Sequence, residues 1–315
     1  MYYSLAQSNG QPSVALQWNA GLSASFRAAI MRASAGSLGS GLPSSLSAAS
    51  CRSTIMAFPE VQRVRYRQNP LEEVICQLRF PPILRIDTEL PVAFQEQIRT
   101  TYPLYRSVIQ GQQALGTTTK MGSSPDLSYA VRIAHQFASD ENSTWTITVE
   151  REFFAIKTTR YIHWEEFSVR LVDALNSFKQ IYRPSYYSRI GLRYIDVIQR
   201  SKLGLESRSW GELLSQAIAG ELAIPEVAGE IENVMRHTAI RLSQHDSLVR
   251  LRHGLVSEQS TGESCFFIDS DFFHEQITKV EDAHTILEYF RKNAGYLFRW
   301  CIQPLLHDAL GPVPI

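Results

Sequence analysis

A chain of 315 residues and 35.7 kDa, 44% of it hydrophobic, can bury one large core or two ordinary ones. Basic and acidic side chains balance at 31 each and the pI is near 7.1, so no global basic field draws the chain to nucleic acid. No apolar run approaches the roughly 18–20 residues of a membrane span, which excludes a helical membrane protein.

Cys51, Cys76, Cys265 and Cys301 form no CxxC pair and read as free, buried thiols of a reducing, cytoplasmic setting. The eight histidines show neither HExxH nor zinc-finger spacing. Searches for GxxxxGK[ST], GxGxxG and GxSxG also fail, so neither a metal nor a cofactor is expected.

Residues 1–55 contain no Asp, Glu or Lys, against three Arg, thirteen Ser and ten Ala. That composition suits a disordered or mis-assigned extension: a transit peptide, or translated sequence upstream of a start at Met56. Few arginines and no amphipathic helix favour Met56. From there a first unit, 56–184, opens with Asn69-Pro70 and a strand at 72–80. Val74, Cys76, Leu78 and Phe80 alternate with Ile75, Gln77 and Arg79 until Pro81-Pro82 stops the run. A helix is predicted at 91–102 and a polar, weakly β stretch at Gln110–Ser124. Strands follow at 128–138 and 144–157, then a helix at 164–182 with Phe167, Leu171, Leu175, Phe178 and Tyr182 on one stripe. The second unit, 185–315, repeats that order. Strand 187–198 precedes a helix at 209–221 capped by Ser209, strands at 229–243, 247–257 and 264–273, and a helix at 280–302.

Three strings match in order. QLRF at 77–80 matches GLRY at 191–194, VRIAH at 131–135 matches VRLRH at 249–253, and VEREFF at 149–154 matches IDSDFF at 268–273. Phe178 and Phe298 continue the series. Colinearity at a near-constant offset points to duplication. The expected fold is α+β: two tandem β-α-β-β-β-α units forming a mainly antiparallel sheet with helices on one face.

On the other face the alternation places Arg79, Arg193, Arg132 and Arg250, with the acids Glu150, Glu152, Asp269 and Asp271. A cross-strand ion ladder is the bland explanation; arginine forks reading a partner's carboxylate or phosphate is the sharp one. Because that face should be open to water, replacing Arg79 and Arg193 by alanine is expected to spare folding. His135 and His253 fall on the apolar side and read as satisfied core residues. Trp164-Glu165-Glu166 suits a helix start, where acids meet the dipole.

NPLEEVICQLRFPPILRID and RIGLRYIDVI closely resemble a sporadically distributed bacterial family of about 260-residue proteins without an assigned activity. The resemblance covers Phe58 onward, supports Met56 as the start, and carries no catalytic residue or cofactor. The family's patchy distribution is similar to that of defence or toxin–antitoxin cargo. The expected function is therefore binding without catalysis, a protein partner being held on the open face or a sheet edge, where a homodimer would also form. An enzyme acting on nucleic acid or nucleotides through the Arg/acid face is the alternative. Plain nucleic-acid binding is a third, weakened by the neutral charge.

Overall fold

The structure, a computed structural model, describes residues 57–110, 132–258 and 260–315 and the two-residue strand Tyr3–Ser4. The N-terminal extension, Cys51, a start at Met56 and nearly all of the Gln110–Ser124 stretch lie outside the described residues.

The fold is α+β, built on one antiparallel sheet. Its strands are β1 (Leu71–Arg79), β2 (Leu104–Gln110), β3 (Arg132–Ala138), β4 (Trp145–Glu150) and β5 (Phe153–Thr158). The second half supplies β6 (Arg189–Ile198), β7 (Met235–Arg241), β8 (Leu248–Glu258) and β9 (Ser264–His274). Their order is β7–β8–β9–β6–β1–β5–β4–β3–β2, and Tyr3–Ser4 lies beside Ser257 and Glu258. The chain also forms α1 (Val92–Ile98), α2 (Trp164–Tyr182), α3 (Ala283–Cys301) and α4 (Pro304–Ala309). A separate ribbon pairs Val64–Tyr66 with Pro312–Pro314. No described helix is long and apolar enough to cross a membrane.

Local chemistry explains the centre. Asn69 Oδ1 accepts from Leu71 N at 3.2 Å and Pro70 O accepts from Val197 N at 2.8 Å, so the Asn-Pro turn delivers β1 directly onto β6. Gln77 then lies opposite Gly191, with Cys76 opposite Leu192 and Leu78 opposite Ile190. Val74, Cys76, Leu78, Ile190 and Leu192 are all fully buried on the helix-bearing face. Phe154 of β5 packs on Phe178 of α2, centroids 5.2 Å apart, and Phe272 of β9 on Phe290 of α3 at 6.2 Å. One continuous core therefore fills the space between the sheet and both long helices. α2 begins with His163 Nδ1 accepting from Glu166 N, and ends with Arg183 in the left-handed region (φ 49°) before Pro184.

Four expectations change. The run 144–157 is a hairpin, not one strand: Arg151-Glu152 turns it, and the turn docks through Arg151 O to Ile83 N (2.8 Å) and Glu152 O to Phe80 N (3.0 Å). The stretch before 110 supplies the edge strand β2. The helix at 209–221 breaks into Trp210–Leu213, Gln216–Ala219 and a 3-10 turn from Gly220. The string matches also slip. Cross-strand pairing sets Phe154 opposite Leu78 and Phe272 opposite Leu192, whereas the strings equate Phe154 with Phe273, one residue away and on the other face. VRIAH lies on β3, third out from β1, while VRLRH lies on β8, second out from β6. Phe178 is buried, whereas Phe298 is only partly so, against Tyr66.

Candidate functional site

The eight residues singled out in sequence fall into two groups, one in each half of the sheet. In the second half they close a ladder. Arg193 of β6 donates to both oxygens of Asp269 at 2.6 and 2.7 Å, and Arg252 of β8 reaches the same carboxylate from the other side. Two residues along, Arg189 donates to Asp271 at 2.9 and 3.0 Å, with Arg250 at 3.4 Å. Period-two alternation across three adjacent strands produces this pattern. The Arg189 and Arg250 guanidiniums both lie over the Phe273 ring, 5.1 and 5.0 Å from its centroid. Asp269 and Asp271 are only 2% and 5% exposed, which corrects the expectation of a face turned to water. Truncating Arg193 would remove one of two partners from a buried carboxylate, so the Arg79/Arg193 double alanine variant is expected to lose stability rather than be spared.

The first half differs. Glu150 ends β4 and Glu152 sits in the hairpin turn, so the two do not share a strand face and do not match Asp269 and Asp271. Arg132 approaches Glu152 at 3.7 Å, and Arg151 bridges Glu152 (3.3 Å) and Asp87 (3.6 Å). Arg79 Nε is buried without a hydrogen-bond partner. Burial raises the Glu150 carboxyl to about 7, against the opposing pull of Arg132. His135 behaves as a core histidine: Nε2 meets Ile86 O at 2.8 Å and Nδ1 meets the Tyr105 hydroxyl at 3.0 Å. Burial lowers His253 to about 4.

The chemistry that sequence reading missed lies under the sheet. A cavity of about 460 Å³ opens between the central strands, the start of α2, the middle of α3 and the Val64–Tyr66 ribbon. Its floor is Leu71, Tyr194, Asp196 and Ser270, contributed by β1, β6 and β9. Tyr66, Tyr161, Trp164 and Phe298 wall it, and Tyr161 meets Tyr194 edge to face at 6.0 Å. Tyr66 is fixed by its hydroxyl's 2.7 Å hydrogen bond with His307 Nδ1 on α4. The Trp164 indole N–H donates to Glu288, which also holds Arg291 at 3.1 Å, tying α2 to α3 beside the cavity.

Three features mark this cavity as more than a packing fault. Asp196 is 5% exposed, and burial, with the neighbouring Asp269 charge adding to it, pushes its carboxyl well above the usual range. No described cation pairs with it. The Tyr161 and Tyr194 hydroxyls approach each other closely enough to interact, but outside good hydrogen-bond geometry, which leaves Tyr194 Oη buried without a well-formed hydrogen bond; Arg291 Nε is likewise buried without one. Gly295, central in α3, also lines the space, and a Cβ built on it would meet no atom within 4 Å. Alanine there would favour the helix by about 1 kcal/mol, so glycine keeps room at the cavity at a cost in stability.

Comparison with protein-family models, with curated proteins and with solved structures found no match.

Proposed function

We propose that the protein is a binding protein that holds a small molecule, without a covalent step, in the cavity between the central strands and the two long helices. The observation that carries this is the buried, unsatisfied Tyr194 hydroxyl beside Asp196 at the floor of an aromatic-walled space. Pockets of roughly 300–1,000 Å³ with apolar walls and a few convergent polar groups are the usual form of such sites. The Arg/acid face supports the reading less well, because Asp269 and Asp271 already occupy four arginine forks. The test is Gly295→Leu, titrated beside wild type with 8-anilinonaphthalene-1-sulfonate. Filled space should raise the melting temperature and cut dye binding at least ten-fold. Unchanged binding refutes the cavity as the site.

A second reading keeps the protein partner at a sheet edge, as a second copy or another chain. Edge strand β2 exposes Leu104, Tyr105 and Ile109, the last to 69%. Concentration-dependent association that Ile109→Lys abolishes would support it; a monomer at all concentrations that captures no strand peptide would end it.

We also infer that the two halves descend from one duplicated unit. In support, strands added outward from the β6–β1 pair run backwards through the sequence on both sides, and in each half a 19-residue helix follows the last strand of the sheet. The edge strand β2 is then an addition to the first half.

A further inference from the structure

Resting on the cavity as the binding site, we infer that its ligand is a nucleoside monophosphate, the base on the hydroxyl-lined floor and the phosphate at the mouth. Charge comes first. Arg63, Arg65, Arg291, Lys292 and Arg299 line the cavity, whereas Asp196 is the one acidic side chain among its lining residues. Arg63 is held by Glu165 through two hydrogen bonds of 2.7 and 2.9 Å, but Arg65 and Lys292, both exposed, have no acidic partner among the described residues. Two uncommitted cations at an opening, with guanidiniums beside them, suit a group carrying more than one negative charge.

The walls specify the body. Tyr66, Tyr161, Trp164 and Phe298 present ring surface, which favours a planar, polarisable ligand and gives each stacked base a sequence-tolerant contact. The floor specifies the head. The Asp196 carboxyl, buried at the floor where its protonated form is favoured, can present a donor and an acceptor side by side, which matches the N–H and C=O, or ring nitrogen and amino group, along a nucleobase edge. Tyr194 Oη adds a further group that requires a partner. A fatty acid of the same volume would leave the Tyr194 hydroxyl unsatisfied against hydrocarbon, at a cost that burying a polar group always carries. A lone phosphate would leave the aromatic walls wet.

The full chain is titrated by calorimetry with AMP, GMP, UMP and CMP, with the four nucleosides, and with inorganic phosphate. At least one monophosphate should bind, its nucleoside at least ten-fold more weakly, and phosphate alone not measurably. Arg65→Ala with Lys292→Ala should weaken the monophosphate about ten-fold while leaving its nucleoside within two-fold. Tyr194→Phe, which keeps the ring, should weaken both about five-fold, and Gly295→Leu should abolish both. Binding of the naphthalene sulfonate that Gly295→Leu removes, with no nucleotide bound, overturns the ligand class and leaves the cavity reading intact. Dye binding indifferent to Gly295→Leu overturns both. Equal affinity for nucleoside and monophosphate refutes the phosphate mouth.

Discussion

Asp196→Asn separates the buried carboxyl from every other titrating group. Asp196 keeps its proton in the folded chain, because burial raises it well above its ordinary 3.8, while the unfolded chain releases that proton near 3.8. Between those two points the folded state binds one more proton than the unfolded state, so stability falls as pH rises. The slope is about 1.4 kcal/mol per pH unit for one proton, and it ends where the folded carboxyl at last ionises. Asparagine keeps the size and a donor–acceptor pair but releases no proton. Wild type should therefore match the variant near pH 4 and become progressively less stable than it above pH 5. With a urea m-value of roughly 3 kcal/mol/M, the gap in unfolding midpoint should widen by about 0.5 M per pH unit. His253, lowered to about 4 by burial, stabilises with rising pH from 4 towards 6.5, and Glu150, raised to about 7, does the reverse above 4.5. Both contribute equally to the two proteins, so the difference between the urea curves, followed by tryptophan fluorescence at half-unit pH steps, isolates Asp196. Parallel midpoints from pH 4 to 8 would show that Asp196 ionises normally and that the floor of the cavity is not dry.

Three substitutions test the rest of the architecture. Asp269→Ala should destabilise by about 3–5 kcal/mol, because it leaves Arg193 and Arg252 facing each other without their shared carboxylate. Arg250→Ala, whose side chain is 49% exposed and sits 3.4 Å from Asp271, should cost less than about 1 kcal/mol by the same denaturation assay. Gly254→Ala should cost about 1–3 kcal/mol or more and expose β7 to hydrogen exchange, since a Cβ at this position would collide with the Val234 carbonyl.

Much of the frame was legible because it follows from alternation and helical spacing alone. α2 occupies 164–182 as its stripe of Phe167, Leu171, Leu175 and Phe178 requires, and β1 and β6 start and stop at their turn residues. The failures have local causes. The β-rich run 144–157 passes through a turn made by Arg151-Glu152, which lacks the glycine or asparagine that usually announces a hairpin. Leu104–Gln110 shows no strict period because it is an edge strand with its side chains largely in solvent. Once the hairpin is missed, the VEREFF match is forced one residue out of step, and a slip of one exchanges the two faces.

That slip also explains why the Arg/acid face drew attention in the sequence. Matching Glu150 and Glu152 to Asp269 and Asp271 made the Arg/acid face look duplicated, and duplication made it look functional. The informative acid stood elsewhere in plain alternation. Ile190, Leu192, Tyr194, Asp196 and Ile198 share one phase of β6, and all five are buried on the helix-bearing face. A buried acid on a strand must be paired, protonated or solvated. The ladder acids take the first course, each held between two arginines, and they return that charge to structure. Asp196 takes the second, beside a phenol without a partner and a glycine that leaves a cavity open. Between Asp196 and the ladder acids, it is Asp196 that retains hydrogen-bonding capacity for a ligand.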